Sequence, residues 1–305
     1  MRNRFADVFY ELGRDDPSLC IVVADISPAG SIARFREEYP DRFVNTGVAE
    51  QVMIGMCAGM AQRGLRPFAY TIATFTLYRP FEFVRDDLCY QNLPVTLVGI
   101  GGGVTYSTLG ATHHAMEDIG IATSLPNMSV IAPCDPLEVE AATRWCATQD
   151  VGPVYLRLGK AGEPTLTADA EEPWEFGVPR VIERGTDICI LTYGPVAAMA
   201  HQVAERARHS GRSVSMVSVH TVKPLDRHKL AELMHSHEHV IVIEETTPTG
   251  SLGAAVKQTA WDTQCKARID TFCLRDEFLH VYGSHQDILA AHGLTEAHIC
   301  AQLGL

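Results

Sequence analysis

The sequence predicts an α/β protein built from two doubly wound domains. Short apolar, β-branched runs alternate with stretches of helical length, a pattern typical of a parallel sheet covered on both faces. The alternation is interrupted once, at residues 160–180, which are rich in proline, glycine and acidic residues and predict a linker. We therefore expect a first domain over residues 1–165, a linker over 166–184 and a second, smaller domain over 185–305.

The individual elements follow from the same pattern. An amphipathic helix is predicted at the N-terminus, and further helices over 50–63, 81–91 and 136–148. The predicted strands of the first domain cover residues 19–26, 43–47, 66–72, 93–100, 128–133 and 153–159. Those of the second domain cover 187–193, 213–219, 239–245 and 267–274, with helices before His209, over 227–235, from about residue 251 and at the C-terminal end.

Composition and charge narrow the class of protein. Of the 305 residues, 46% are hydrophobic and 20% are charged, as in a globular protein with a sizeable core. The formal net charge of −12 argues against a nucleic-acid binder or a protein of anionic membranes, and favours a small-molecule role. The nine cysteines are scattered without a CxxC pair, and no apolar run is long enough for a bilayer span. We expect reduced thiols and a cytoplasmic location.

Glu50 is the first candidate functional residue. It lies in the segment "NTGVAEQVMIGMCAGMA" (45–61), which otherwise contains mainly apolar and small residues. An acid in the first turn of a helix can simply complement the helix dipole, worth about 0.3–1 kcal/mol. Alternatively, a carboxyl group at the end of a strand, where α/β proteins bind ligands, could contact a ring nitrogen in a dry cleft. The residues alone leave both interpretations open.

Two further groups of candidates follow the next strands. Phe75, Tyr78 and Phe81 are spaced by three, which suits either core packing or a wall for a flat heterocycle. The glycine-rich stretch "GIGGGVTYSTLGATHH" (99–114) ends in His113 and His114. It lacks the GxGxxG spacing and the P-loop lysine, so it does not predict a nucleotide site.

The order of these motifs resembles the transketolase and deoxyxylulose-phosphate synthase family of thiamine-diphosphate enzymes. The chain is similar to the C-terminal two thirds of that family, its pyrimidine-binding domain followed by its small C-terminal domain. The matching segments are "NTGVAEQVMIGMCAGMA", "YTIATFTLYRPF", "GATHH", "LPNMSVIAPCDPLEV", "TVKPLD" and "EETTPTGSLGAAV".

The resemblance implies roles for individual residues. Glu50 would hydrogen-bond a ring nitrogen of the cofactor's aminopyrimidine, while Phe75 would stack on that ring. Tyr78 and Phe81 would line the same wall. His113 would contact an oxygen of the donor sugar, and Arg157 would help to hold a substrate phosphate.

Some positions depart from the family pattern. Leu109 stands where the family usually has an acidic residue, and Gly101 stands where transketolases carry a histidine. Gly102 and Tyr78 stand where the synthases carry arginines. These departures predict a roomier and less polar substrate end of the pocket, and they argue against standard pentose-phosphate or deoxyxylulose-phosphate chemistry.

The family's diphosphate-binding domain, with its GDG…N metal signature, has no counterpart in the sequence. The resemblance therefore implies a separate N-terminal subunit that binds the diphosphate and Mg²⁺, in an α2β2 heterotetramer. No residue of this chain is expected to bind metal, and the thiamine diphosphate would be shared between the subunits.

The favoured function is transfer of a two-carbon unit from a ketose or 2-oxo acid donor to a carbonyl acceptor. Other possibilities are the β subunit of a 2-oxo acid dehydrogenase and a pyruvate-using synthase of branched sugars or other specialised metabolites. A degenerate structural subunit is the non-enzymatic alternative. The motifs "GATHH" and "TVKPLD" favour the transketolase branch over the dehydrogenase.

Overall fold

The computed structural model describes residues 1–27 and 30–305 of the chain. In chain order its strands are β1 (Leu19–Val23), β2 (Phe43–Asn45), β3 (Arg66–Ile72), β4 (Thr96–Ile100), β5 (Ser129–Ile131), β6 (Val154–Leu158), β7 (Arg180–Glu183), β8 (Ile188–Thr192), β9 (Val214–Ser218), β10 (Thr221–Lys223), β11 (His239–Ile243) and β12 (Arg268–Phe272). The strands form two separate sheets, which confirms the predicted two-domain α/β architecture.

Helices connect most of these strands. They are α1 (Arg2–Asp15), α2 (Ser31–Glu38), α3 (Glu50–Gln62), α4 (Ala73–Leu77), α5 (Phe81–Phe83), α6 (Asp118–Ser124), α7 (Pro136–Thr148), α8 (Ala197–His209), α9 (Arg227–His235), α10 (Leu252–Asp262), α11 (His285–Ala291) and α12 (Glu296–Leu303). A π-helical segment, Val84–Tyr90, continues α5, so the helix predicted over 81–91 changes its hydrogen-bond pattern after its first turn.

The first sheet has seven strands in the described residues, in the order β10-β5-β6-β4-β3-β1-β2. Its strands β1 to β6 pair in parallel, and most are buried on both faces, as their continuous apolar sequences predict. The carboxyl ends of β2, β3 and β4 therefore lie along one edge of the sheet. The segments that begin with Glu50, Phe75 and Gly101 all leave from that edge.

The second sheet, within the part of the chain described, has the order β12-β11-β8-β9-β7. Its strands are parallel except for β7, which pairs antiparallel with β9. Because β7 covers Arg180–Glu183, the second sheet begins within the stretch predicted to be a linker. The start of that stretch is held to the first domain, since Asp135 Oδ2 accepts hydrogen bonds from the backbone amides of Leu166 and Thr167.

One strand crosses between the halves of the chain. β10 follows β9 of the second sheet, yet it pairs antiparallel with β5 at the edge of the first sheet. The Lys223 ammonium group strengthens the attachment by donating a hydrogen bond to the Thr123 carbonyl oxygen at 2.9 Å. The motif "TVKPLD" therefore includes a structural link between the two domains.

Candidate active site

Glu50 is the first residue of α3 and is buried, with 3% of its surface exposed. Oε1 accepts a hydrogen bond from Arg79 Nη1 at 2.7 Å. Oε2 is also buried, and no hydrogen-bond partner for it occurs among residues 1–27 and 30–305. Buried polar atoms are nearly always hydrogen-bonded, so this carboxylate has an unused acceptor. An acid that only complements the helix dipole would not need to be buried, so the dipole alone does not explain the position of the Glu50 carboxylate.

Arg79 connects Glu50 to the aromatic wall. Its guanidinium group lies 4.3 Å from the centre of the Phe75 ring, within the range of a cation–π contact. Phe75 lies in α4, and Arg79 lies two residues beyond the end of that helix, where the following turn brings its side chain against the Phe75 ring. Arg79 was not among the residues predicted from the sequence, although its spacing of four residues from Phe75 was available as a signal.

Tyr78 and Phe81, predicted to line the same wall, have different surroundings. The Tyr78 hydroxyl donates to Glu117 Oε2 at 3.0 Å and accepts from the Glu117 backbone amide at 3.1 Å. Burial and the nearby carboxylates Asp118 and Glu117 raise the pKa of Tyr78, so it stays a neutral donor. Phe81 instead packs, half-buried, against the hydrophobic core beneath α3.

An open cavity of about 480 Å³ adjoins these residues. Its walls include Thr74, Phe75, Tyr78, Arg79, Thr112, His114, Glu117, Ile121 and Phe278. Phe278 belongs to the second domain and is 62% exposed, so both domains contribute to the cavity. The volume is in the range of small-molecule sites, and the mixture of aromatic walls with a few polar groups suits a heterocycle or a sugar. Phe81 does not belong to these walls.

The two adjacent histidines point to different surroundings. His113 is half-buried, with its ring edge-on to Phe75 at a centroid distance of 5.2 Å, and its Nδ1 lies 2.9 Å from Thr112 Oγ1. Burial and the nearby Arg79 cation lower the pKa of His113, which favours the neutral ring. His114, for which the sequence predicted no role, lines the cavity and is buried. No partner for its Nε2 is found in the described chain.

The glycines before these histidines allow tight packing. Gly101 and Gly103 have positive φ angles of 73° and 67°, which glycine adopts without strain. A Cβ atom on Gly101 would lie 2.3 Å from the Tyr106 ring, and one on Gly102 would lie 2.3 Å from Arg157 Nε. Tyr106 and Arg157 therefore occupy the space beside Gly101 and Gly102, which argues against a roomier pocket at these two positions.

Arg157 has a different environment from the one expected. Its side chain is 1% exposed, with Nε donating to Asp118 Oδ2 at 2.7 Å and Nη2 donating to the Glu245 backbone oxygen at 2.8 Å. Tyr155 donates its hydroxyl to the same Asp118 oxygen at 2.8 Å. This placement argues against the predicted phosphate contact, because the guanidinium group is enclosed and already paired. The residue instead joins the first domain to the second.

Two family models match the chain in succession. The model of the transketolase pyrimidine-binding domain covers residues 1–162, and that of the transketolase C-terminal domain covers residues 177–299. Together they account for most of the chain and for both sheets. The chain belongs to the transketolase family. Thiamine diphosphate is the cofactor that members of this family use.

Some relatives of similar length are named as enzyme subunits. The chain is 31% identical over 299 residues to a subunit of the apulose-4-phosphate transketolase of Phocaeicola vulgatus, covering 98% of this chain and 95% of the relative. It is also 31% identical to the 6-deoxy-6-sulfo-D-fructose transketolase subunit SqwH of a Clostridium species, covering 97% and 94%. A solved structure described as a split gene transketolase, inactive beta4 tetramer, aligns with a TM-score of 0.87 and 31% identity over 99% of this chain and 96% of that one.

These matches confirm the predicted transketolase fold and a transketolase-like transferase assembled from split subunits. In the described ranges, no three His, Cys, Asp or Glu side chains are grouped so that they could hold a metal ion. None of the helices described is both long and apolar enough to cross a bilayer.

Proposed function

We propose that this transketolase-family chain binds the pyrimidine half of thiamine diphosphate and works with a separate subunit that binds the diphosphate and Mg²⁺, in an α2β2 assembly. The pair transfers a two-carbon unit from a ketose or 2-oxo acid donor to a carbonyl acceptor. The relatives named for apulose 4-phosphate and 6-deoxy-6-sulfo-D-fructose support a ketose with an anionic group as the donor. The related tetramer described as inactive contains β subunits, which supports the need for a partner.

One observation carries this proposal: within residues 1–27 and 30–305, the buried Oε2 atom of Glu50 has no hydrogen-bond donor. A buried carboxylate oxygen without a donor, close to an aromatic wall, fits a protonated or proton-sharing ring nitrogen of an aminopyrimidine. Phe75 provides an aromatic face on the same side of the site, at present covered by the Arg79 guanidinium. Arg79 has 41% of its side chain exposed, so it can turn outward without crossing the core.

The chain's own residues then have distinct tasks. Glu50 holds and returns a proton at the ring nitrogen, a role that burial strengthens because water does not compete for the carboxylate. Phe75 orients the ring by stacking, and the Glu117 contact fixes Tyr78 beside it. His113, kept neutral by burial, can hydrogen-bond an oxygen of the donor. When bound, the cofactor supplies the nucleophilic carbon and the electron sink for the two-carbon unit.

Reconstitution with a diphosphate-binding partner tests this function. We expect no turnover by the chain alone with thiamine diphosphate and Mg²⁺, and ketol transfer once the partner subunit is added. Glu50→Gln should lower kcat in the complex by about 10²–10⁴-fold, as expected when a positioned acid or base is lost. Glu37→Gln, an exposed carboxylate on α2, is the matched control and should have no effect. Turnover by the isolated chain, or full activity of the Glu50 variant, would overturn the proposal.

A further inference from the structure

The loop that carries His113 is closed at its base by a pair of hydrogen bonds. The Gly103 amide donates to the Ala115 carbonyl oxygen at 3.0 Å, and the Ala115 amide donates back to the Gly103 oxygen at 2.8 Å. Residues 104–114 therefore form a loop whose two ends are tied together. Its tip is exposed at Thr108, Leu109, Ala111 and Thr112. The position of His113 depends on what holds the base of this loop.

The second domain holds one side of that base. Glu245 follows β11 and is 1% exposed, and its Oε1 accepts a hydrogen bond from the Val104 amide at 2.7 Å. The same oxygen lies 2.8 Å from Nε2 of His285, the first residue of α11. Glu245 packs so closely on Gly103 that this position has no space for a side chain. A Cβ atom on Gly103 would lie 2.3 Å from the Glu245 carboxylate.

Neighbouring residues of the second domain hold the other side. The hydroxyl of Thr246 and the amide of Thr247 both donate to the Met116 carbonyl oxygen, at 2.6 Å and 2.9 Å. Met116 directly precedes Glu117, the residue that binds the Tyr78 hydroxyl. Three consecutive residues of the second domain thus hold both ends of the His113 loop and the segment that orients Tyr78.

We infer that Glu245, supported by His285, is a positioning residue that sets the place of His113 in the active site across the domain boundary. This inference deepens the proposed function and rests on the role proposed there for His113. The energetic reason is that Glu245 gives a buried amide its acceptor, and a buried amide that loses its acceptor is costly. Without Glu245, the base of the loop is expected to open more often, and His113 would then lose a fixed orientation.

Hydrogen exchange on the isolated chain tests the structural step without requiring activity. Glu245→Ala should speed amide exchange in residues 103–115 by about ten-fold or more, because Val104 loses its acceptor. Glu245→Gln keeps an acceptor oxygen and should restore much of the protection. Glu244→Gln is the matched control, because that adjacent buried carboxylate bonds Leu252, Gly253 and Tyr193 within its own domain. Unchanged exchange in Glu245→Ala, or an equal rise in Glu244→Gln, would overturn the inference.

Kinetics of the reconstituted complex test the consequence for catalysis. Glu245→Ala should lower kcat/KM for the donor by about ten-fold, with the cofactor dissociation constant changed less than about two-fold, because Glu50 and Phe75 do not contact this loop base. In a His113→Ala background, the same substitution should have almost no further effect, since it acts through His113. Additive losses would show a general destabilisation and refute the positioning role. If His113→Ala alone leaves activity unchanged, the proposed function fails at that residue, whatever the exchange result.

Discussion

The Nη1 atom of Arg79 donates a hydrogen bond to Glu50 Oε1 at 2.7 Å while its guanidinium group covers the ring of Phe75 at 4.3 Å. One exposed cation thus contacts both of the side chains that we propose for pyrimidine binding. It supplies a counter-charge to a carboxylate that is otherwise enclosed by the apolar start of α3. In the chain without cofactor, Arg79 therefore reduces the free-energy cost of burying Glu50.

Replacing Arg79 by methionine should destabilise the isolated chain. The change leaves Glu50 buried without a counter-charge, and the expected loss is about 1–2 kcal/mol, less than for a fully buried pair because Arg79 is partly in solvent. Urea unfolding measures this loss. Adding Glu50→Gln should recover much of it, because the buried charge is then gone. Arg85→Met, which disrupts an exposed pair with Asp86, is the control and should cost less than about 0.5 kcal/mol. Equal losses in the two arginine variants would contradict this account.

Phe75→Leu and Phe81→Leu should affect different properties of the protein, cofactor binding in the first case and folding stability in the second. Phe75 lines the cavity, so Phe75→Leu should weaken thiamine diphosphate binding to the complex by about ten-fold through loss of ring stacking. Phe81 packs against the core, so Phe81→Leu should cost about 1 kcal/mol of stability and leave the cofactor dissociation constant nearly unchanged. Titration calorimetry and urea unfolding of both variants separate the two outcomes. A loss of cofactor affinity in Phe81→Leu would restore the role first predicted for it.

Arg157→Met should lower the free energy of unfolding and leave the recognition of a substrate phosphate unchanged. Breaking a fully buried ion pair leaves Asp118 uncompensated, which costs about 3–5 kcal/mol. Arg206→Met, in an exposed pair with Glu296, should cost less than about 0.5 kcal/mol. If Arg157→Met folds with nearly normal stability but discriminates less between phosphorylated and unphosphorylated donors, the phosphate contact predicted from sequence is correct after all.

The stability of the chain should fall as the solution is acidified through the range where free histidine titrates, partly because of His114. Burial lowers the pKa of His114, an effect only partly opposed by Glu245 and by a hydrogen bond to the Tyr106 backbone. Below the unfolded pKa of about 6.5 the unfolded chain binds more protons than the folded one, so stability contributed by neutral His114 is present above that pH and is lost below it. His114→Gln should therefore show a smaller loss between pH of about 7.5 and about 5.5. The free energy of unfolding, measured with urea at each pH, gives this loss for both proteins. An equal loss in the two proteins would exclude a contribution from His114.

Most of the fold could be predicted from the sequence because its strands are continuous apolar runs. The strand predicted over 66–72 and the helix predicted over 136–148 match β3 and α7 at both ends. β7 and β10, which pair antiparallel at the edges of the two sheets, were missed because RVIE and TVK lack the continuous apolar run that marks most of the parallel strands.

The candidate site was only partly predictable. Glu50, Phe75 and His113 stand out because they follow predicted strands, and the structure places Arg79 against Glu50 and Phe75 and His113 edge-on to Phe75. Arg157 shows the limit of motif matching. It lies in a strand between two others, where every side chain is buried, so an arginine there requires a buried partner. That partner, Asp118, is 39 residues away, and local sequence cannot identify it.

β10 also limits recombination between the two domains of the protein. Family models treat residues 1–162 and 177–299 as independent modules, yet the last strand of the first sheet is encoded within the second module. A gene cut between the modules would leave the β5 edge uncovered and free to pair with other chains. Recombination among such proteins should therefore preserve the two modules together.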